Sequence, residues 1–148
     1  MLKKISVVIV AIAAAIVFAA APAVAETRPV QLALIDPVQI FNADTSISGV
    51  RLNLLYGRND SVTGLDLGLV GVADSDFTGW QYNFVGNITK GNFSGLQMGF
   101  VNYANSAKGL QLGVVNYAVS LKGLQIGVIN IIVQGGMFPV FPFVNWAF

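Results

Sequence analysis

From Gly49 onward the chain falls into blocks that open on glycine and then alternate apolar with polar residues: GVRLNLLY, GLDLGLVG from Gly64, GWQYNFVG from Gly79, GLQMGFVN from Gly95, GLQLGVVN from Gly109 and GLQIGVIN from Gly123. The six starts lie 15, 15, 16, 14 and 14 residues apart, a period that marks a repeat architecture. Apolar residues hold the second column (Val50, Leu65, Trp80, Leu96, Leu110, Leu124), the fourth (Leu52, Leu67, Tyr82, Met98, Leu112, Ile126) and the sixth (Leu54, Leu69, Phe84, Phe100, Val114, Val128). A spacing of two places them on one face of a strand, expected to be the inner one. The third column is polar in every copy (Arg51, Asp66, Gln81, Gln97, Gln111, Gln125) and is expected to face outward.

The fifth column is Asn53, Gly68, Asn83, Gly99, Gly113 and Gly127, and glycine inside a strand marks a bend or a close backbone approach. Two residues before each leading glycine stands an apolar side chain (Ile47, Val62, Phe77, Phe93, Ala107, Leu121), so the chain enters each copy through a similar turn. Most charges lie in these connections; Asp36, Arg51 and Asp66 fall within strand-like stretches. The segments 29–41 and 137–148 depart from the motif and carry prolines, which suits capping edge strands. The expected domain is therefore 26–148, with repeats over 49–136 between an N-terminal and a C-terminal cap strand.

Two all-β architectures fit this period. In a narrow parallel β-solenoid each repeat is one coil and equivalent positions stack along the axis. In an eight-stranded antiparallel outer-membrane-type β-barrel each repeat is one strand, a reading supported by strand length and by Val144, Trp146 and Phe148 at alternate terminal positions. The motif recurs in every copy and not in every second one, which favours the solenoid. So does the pair Arg51 and Asp66, opposite charges in adjacent copies of one column, which parallel stacking would bring to about 4.8 Å strand spacing. Stacking would also align Asn102, Asn116 and Asn130 into an amide ladder, although turn chemistry accounts for asparagine in these places as well.

The N-terminus changes the setting. MLKK, an apolar run from Ile5 to Ala20 and the tripeptide Ala23-Val24-Ala25 have the layout of a secretory signal peptide, with cleavage expected before Glu26. Removing 1–25 takes Lys3 and Lys4 and leaves six basic residues against seven acidic ones in the remaining 123. Such near-neutrality argues against nucleic acid, which needs clustered Lys and Arg. Without cysteine, neither disulfides nor a lipid-modified cysteine is available, and without histidine the commonest general base and transition-metal ligand are missing.

The string GLQLGVVNYAVSLKGLQIGVIN closely resembles an uncharacterised family of bacterial exported proteins built from GLQ-I/L-GLVN surface repeats. The resemblance covers about 49–132 and implies an envelope or surface location; it carries no activity. The first three copies depart from the pattern, with Arg51 and Asp66 for Gln, and with Tyr56, Gly71 and Gly86 for Asn. The 14-residue coil is also similar in period to head domains of trimeric autotransporter adhesins, an analogy of geometry alone.

Chemistry-bearing residues are few. Asp74 and Asp76 in ADSDFTG are spaced for a hydrolytic pair or part of a calcium site, yet Asp and Ser are ordinary turn formers and calcium needs about six to eight oxygens. Gly57 to Asp60 reads as a turn, and the sequons at Asn87 and Asn92 as accidental matches. No catalytic, cofactor or metal residue is assigned and no enzyme is expected. Columns seven and nine (Val101, Val115, Ile129, Tyr103, Tyr117) are expected to form an outward apolar stripe, to be covered by the outer membrane or by self-association. A protein or glycan partner is not specified. The function expected is thus a structural or interaction role in the cell envelope, with a small integral outer-membrane barrel or a carbohydrate-binding solenoid as alternatives.

Overall fold

In a computed structural model, residues 26–148 are described; the expected signal peptide lies outside them. Every regular element among them is a strand: β1 (Thr27–Ile35), β2 (Val38–Gln39), β3 (Ser46–Asn59), β4 (Val62–Ala73), β5 (Phe77–Met98), β6 (Val101–Gln134) and β7 (Val140–Ala147). The repeats stack as a parallel β-solenoid, not a barrel: β1, β3, β4, β5 and β6 pair in parallel, each on the next. β5 and β6 are long because each winds through more than one coil. At the ends the direction reverses, with β2 folding back on β1 and β7 running antiparallel along the last coil from Gly123 to Ile131.

Each coil has two walls. The first carries columns one to five and the second begins near column eight, with one edge at columns six and seven and the other just ahead of the next leading glycine. Arg51 lies opposite Asp66, and Asp66 opposite Gln81, as stacking of like columns requires. The uneven spacing of the repeats is absorbed at the edges. Leu54-Leu55 oppose the single Leu69, and Lys90-Gly91 oppose the single Asn105, while both walls stay in register. The asparagine column is consequently filled by Gly57, Gly71, Asn87, Asn102, Asn116 and Asn130, so Asn87 and Gly57 take the places assigned from the sequence to Gly86 and Tyr56.

The faces are inverted relative to the sequence expectation. Gln31, Arg51, Asp66, Gln81, Gln97, Gln111 and Gln125 are fully buried, whereas Leu52, Leu54, Trp80, Tyr82, Phe84, Phe100, Ile126 and Val128 are exposed. Stacking at strand spacing lets each amide bond to its copy in the next coil, which removes most of the penalty for burying it. Gln125 Nε2 donates to Gln111 Oε1 at 2.7 Å, Gln111 to Gln97 at 2.7 Å, and Gln97 to Gln81 at 2.9 Å. The second proton of each amide crosses the interior to a carbonyl of the facing wall, at Ile131, Tyr117 and Tyr103 respectively.

The asparagines form the second ladder. Asn87 Nδ2 donates to Asn102 Oδ1, Asn102 to Asn116 and Asn116 to Asn130, each at 2.8 Å. Their remaining protons go to the carbonyls of Met98, Leu112 and Ile126 on the first wall of the coil above. Glutamines therefore donate toward the N-terminus and asparagines toward the C-terminus. The two rows of amide dipoles run in opposite directions.

Glycine is required where these ladders pass. A Cβ at Gly113 would stand 2.6 Å from Asn102 Nδ2, and one at Gly127 would stand 2.7 Å from Asn116 Nδ2. In the first coil the roles exchange, Asn53 projecting from the first wall into the space left by Gly57. The leading glycines have φ between +123° and +147°, and a Cβ on any of them would strike a backbone carbonyl of the coil beneath.

Toward the other edge the interior turns apolar. Ile47, Val62, Phe77, Phe93, Ala107 and Leu121 meet Ala73, Ala104, Ala118 and Ile132 of the second wall. Bulk is complemented across the gap: Phe77 and Phe93 stack at 5.9 Å, while the wall facing them offers alanine and Thr89. The apolar core is thin, and the amide ladders fill the rest.

In the N-terminal coils one ion pair replaces two rungs of the glutamine ladder. Arg51 Nε and Nη2 donate to the two oxygens of Asp66 at 2.8 and 2.7 Å, and Asn53 and Asn83 each donate to one of the same oxygens. Arg51 Nη1 donates to the Val72 carbonyl at 2.7 Å. Both side chains are completely buried. Losing one partner strands a buried charge, a change that costs about 3–5 kcal/mol, whereas replacing both is far milder. Asp66→Asn should therefore lower the urea midpoint strongly, and Arg51→Gln with Asp66→Gln, which restores an unbroken glutamine column, should recover most of the loss.

Candidate interaction surface

Because the interior takes up most of the uncharged amides, what remains for function is the outside. Both outer walls are largely apolar, Arg58 being a charged side chain in the outward column of the second. The first presents Leu52, Trp80, Tyr82 and Ile126, and the second presents Tyr103, Tyr117 and Val133. Tyr103 and Tyr117, from one of the two columns named from the sequence, stack face to face at 5.3 Å, and Val101 and Ile129 of the other column are exposed. Sequence reasoning missed that the second, fourth and sixth columns are outward too, which extends the apolar surface around three sides.

The two edges differ sharply. At columns six and seven stand Leu54, Leu55, Leu69, Val70, Phe84, Val85, Phe100, Val101, Val114, Val115, Val128 and Ile129, with no polar side chain in any of the six coils. Phe84 is 65% exposed and Val128 58%. The backbone of this edge is paired from coil to coil, as in Phe100 N–H to the Phe84 carbonyl at 2.9 Å and Val114 N–H to the Phe100 carbonyl at 3.0 Å. A shallow apolar groove runs over Gly99 and Gly113, bordered by Tyr82, Met98 and Leu112 on one side and by Phe84, Phe100 and Val114 on the other.

The opposite edge holds Asp60, Asp74, Ser75, Asp76, Lys90, Asn92, Asn105, Lys108 and Lys122. Here the acidic residues of the sequence analysis find partners. Asp74 accepts from Arg58 Nε at 2.7 Å and pairs with Lys90 Nζ at 2.7 Å, one charge from each of three successive coils. Asp76 accepts from the backbone and side chain of Asn92 at 2.8 and 3.1 Å, and Asp60 from Ser75 Oγ at 2.7 Å. Asp74 and Asp76 are thus held apart by different neighbours and do not form a shared site. No group of three His, Cys, Asp or Glu side chains able to hold a metal ion occurs among the described residues. Of the two sequon asparagines, Asn87 is buried in the ladder and Asn92 is exposed on this edge.

Partial burial pushes the Asp74 carboxyl up, but its hydrogen bonds and charge attraction to Arg58 and Lys90 outweigh that and hold it below the ordinary value of 3.8; the bond to Asp74 in turn raises Arg58. A carboxyl lowered in the folded state adds stability above its unfolded pKa and loses it as pH falls through the folded one. Wild type should therefore lose more stability than Asp74→Asn on going from pH 5 to below its lowered pKa. Because the cluster is solvent-screened, the difference in urea unfolding should be small, no more than about 1 kcal/mol.

The chain matches no protein-family model, no curated protein and no solved structure. The class it defines, a two-walled parallel β-solenoid with a largely polar interior and an apolar exterior, rests on the geometry described above.

Proposed function

We propose that this chain is a non-catalytic rod of the bacterial cell envelope that acts in structure or interaction through its apolar outer surface. The observation that carries this reading is the inversion of the faces. The buried polar side chains are largely consumed in bonding one another across the coils, while large apolar side chains stand outside on both walls and one edge. An exterior of this kind is costly in water and marks a surface made to be covered.

The leader-like segment 1–25 supports export, and the resemblance of the repeats to exported surface repeats supports an envelope location. Stacked coils suit a structural role, because each coil needs only its neighbours and the backbone ladder is continuous along the rod. Expressed in a bacterium with an outer membrane, the chain should be processed to begin at Glu26 and should sediment with the envelope. An unprocessed cytoplasmic product, or a processed one that stays monomeric in water with no affinity for membranes or other proteins, would refute the reading.

A further inference from the structure

Charge is segregated across the solenoid in a way that neither the fold nor its stability requires. From the coil of Gly64 to that of Gly123, all exposed charges lie on or beside one edge, and the other edge is apolar without exception. We propose that the rod lies along a membrane with its apolar edge sunk into a single lipid leaflet and its charged edge in water. This deepens the envelope reading above and rests on it.

Three observations favour lipid over a second copy of the chain. The apolar surface wraps one edge and both adjoining walls; a two-fold partner would cover one of these, whereas a leaflet surrounds all three. The depth also fits. From column two to column six a wall rises about 13 Å at roughly 3.3 Å per residue, close to half of the ~30 Å hydrocarbon core of a bilayer. At column two, the level where the headgroups would begin, stands Trp80, a side chain that favours that level because its ring can be dry while its polar atom is wet.

Insertion also needs a backbone with no unpaired polar groups in lipid. The coil-to-coil bonds at Phe100, Val114 and Val115 meet that need at the edge of the middle coils, and most of the amides behind it are paired in their ladders. With three lysines against three aspartates along the charged edge of these coils and their entry turn from Asp60, attachment should depend on apolar depth and not on lipid charge.

The chain contains no cysteine, so one can be introduced for a single fluorophore without other changes. Chain processed to begin at Glu26 and carrying Val128→Cys, or in a second variant Phe84→Cys, is labelled with an environment-sensitive dye and mixed with phosphatidylcholine vesicles containing quenchers at mid-chain or headgroup depth. Asn105→Cys on the charged edge serves as the comparison. The expected result is blue-shifted emission at 128 and 84, quenched several-fold more by the mid-chain quencher than at 105, and unchanged in high salt. Equal depth at 105 and 128 would overturn the edge-first orientation. An unquenched dye in a chain that forms oligomers would overturn the lipid partner yet leave the envelope interaction standing. An unquenched dye in a monomer would overturn both.

Discussion

Everything in this molecule depends on the coil-to-coil repeat of about 4.8 Å, because that distance suits backbone pairing and amide pairing at once. A buried glutamine or asparagine is normally a liability, costing about 1–3 kcal/mol if a donor or acceptor goes unpaired. Stacked on its own copy in parallel register it donates to one neighbour and accepts from the other, and its spare proton reaches a carbonyl across the interior. The interior can then be polar, narrow and dry. Once the amides point in, strand alternation forces the flanking columns out. The columns that flank the amides are therefore the exterior, whatever their chemistry.

The same constraint explains the exceptions. Arg51 and Asp66 can enter the ladder only as adjacent opposite charges, and they do so with all four carboxylate hydrogen bonds supplied by Arg51, Asn53 and Asn83. Glycine recurs where an asparagine from the facing wall needs the space, and the position exchanges in the first coil, where Asn53 faces Gly57. Extra residues appear only at the edges, where they disturb no rung. At the C-terminal end the antiparallel β7 cannot continue the glutamine ladder: Asn145 bonds the Phe138 carbonyl, and Gln125 Oε1 receives no donor.

Much of this was legible in the sequence. The parallel solenoid followed from a motif that recurs in every copy, and Arg51 beside Asp66 was its most specific sign. The sidedness was not, since hydrophobic alternation by itself puts leucine inside. The neglected signal was that columns three and five share a face. A glycine column has a packing reason on a crowded inner face and none on an open outer one, so Gly99, Gly113 and Gly127 assign the glutamines to the interior. The asparagine column is legible only in part, because the extra residues before Gly57 and Asn87 shift the count by one. Nor did the acidic loop yield a site, its carboxylates being spent on Arg58, Lys90 and Asn92.

The inverted interior is tested most directly by hydrogen exchange of side-chain amides, followed by NMR in D2O. In a ladder-filled core the amide protons of Gln97, Gln111, Asn102 and Asn116 exchange only when coils separate, and should persist long after those of the exposed Asn105 and Gln134 have gone. Loss of both sets at the same rate would contradict a buried amide core.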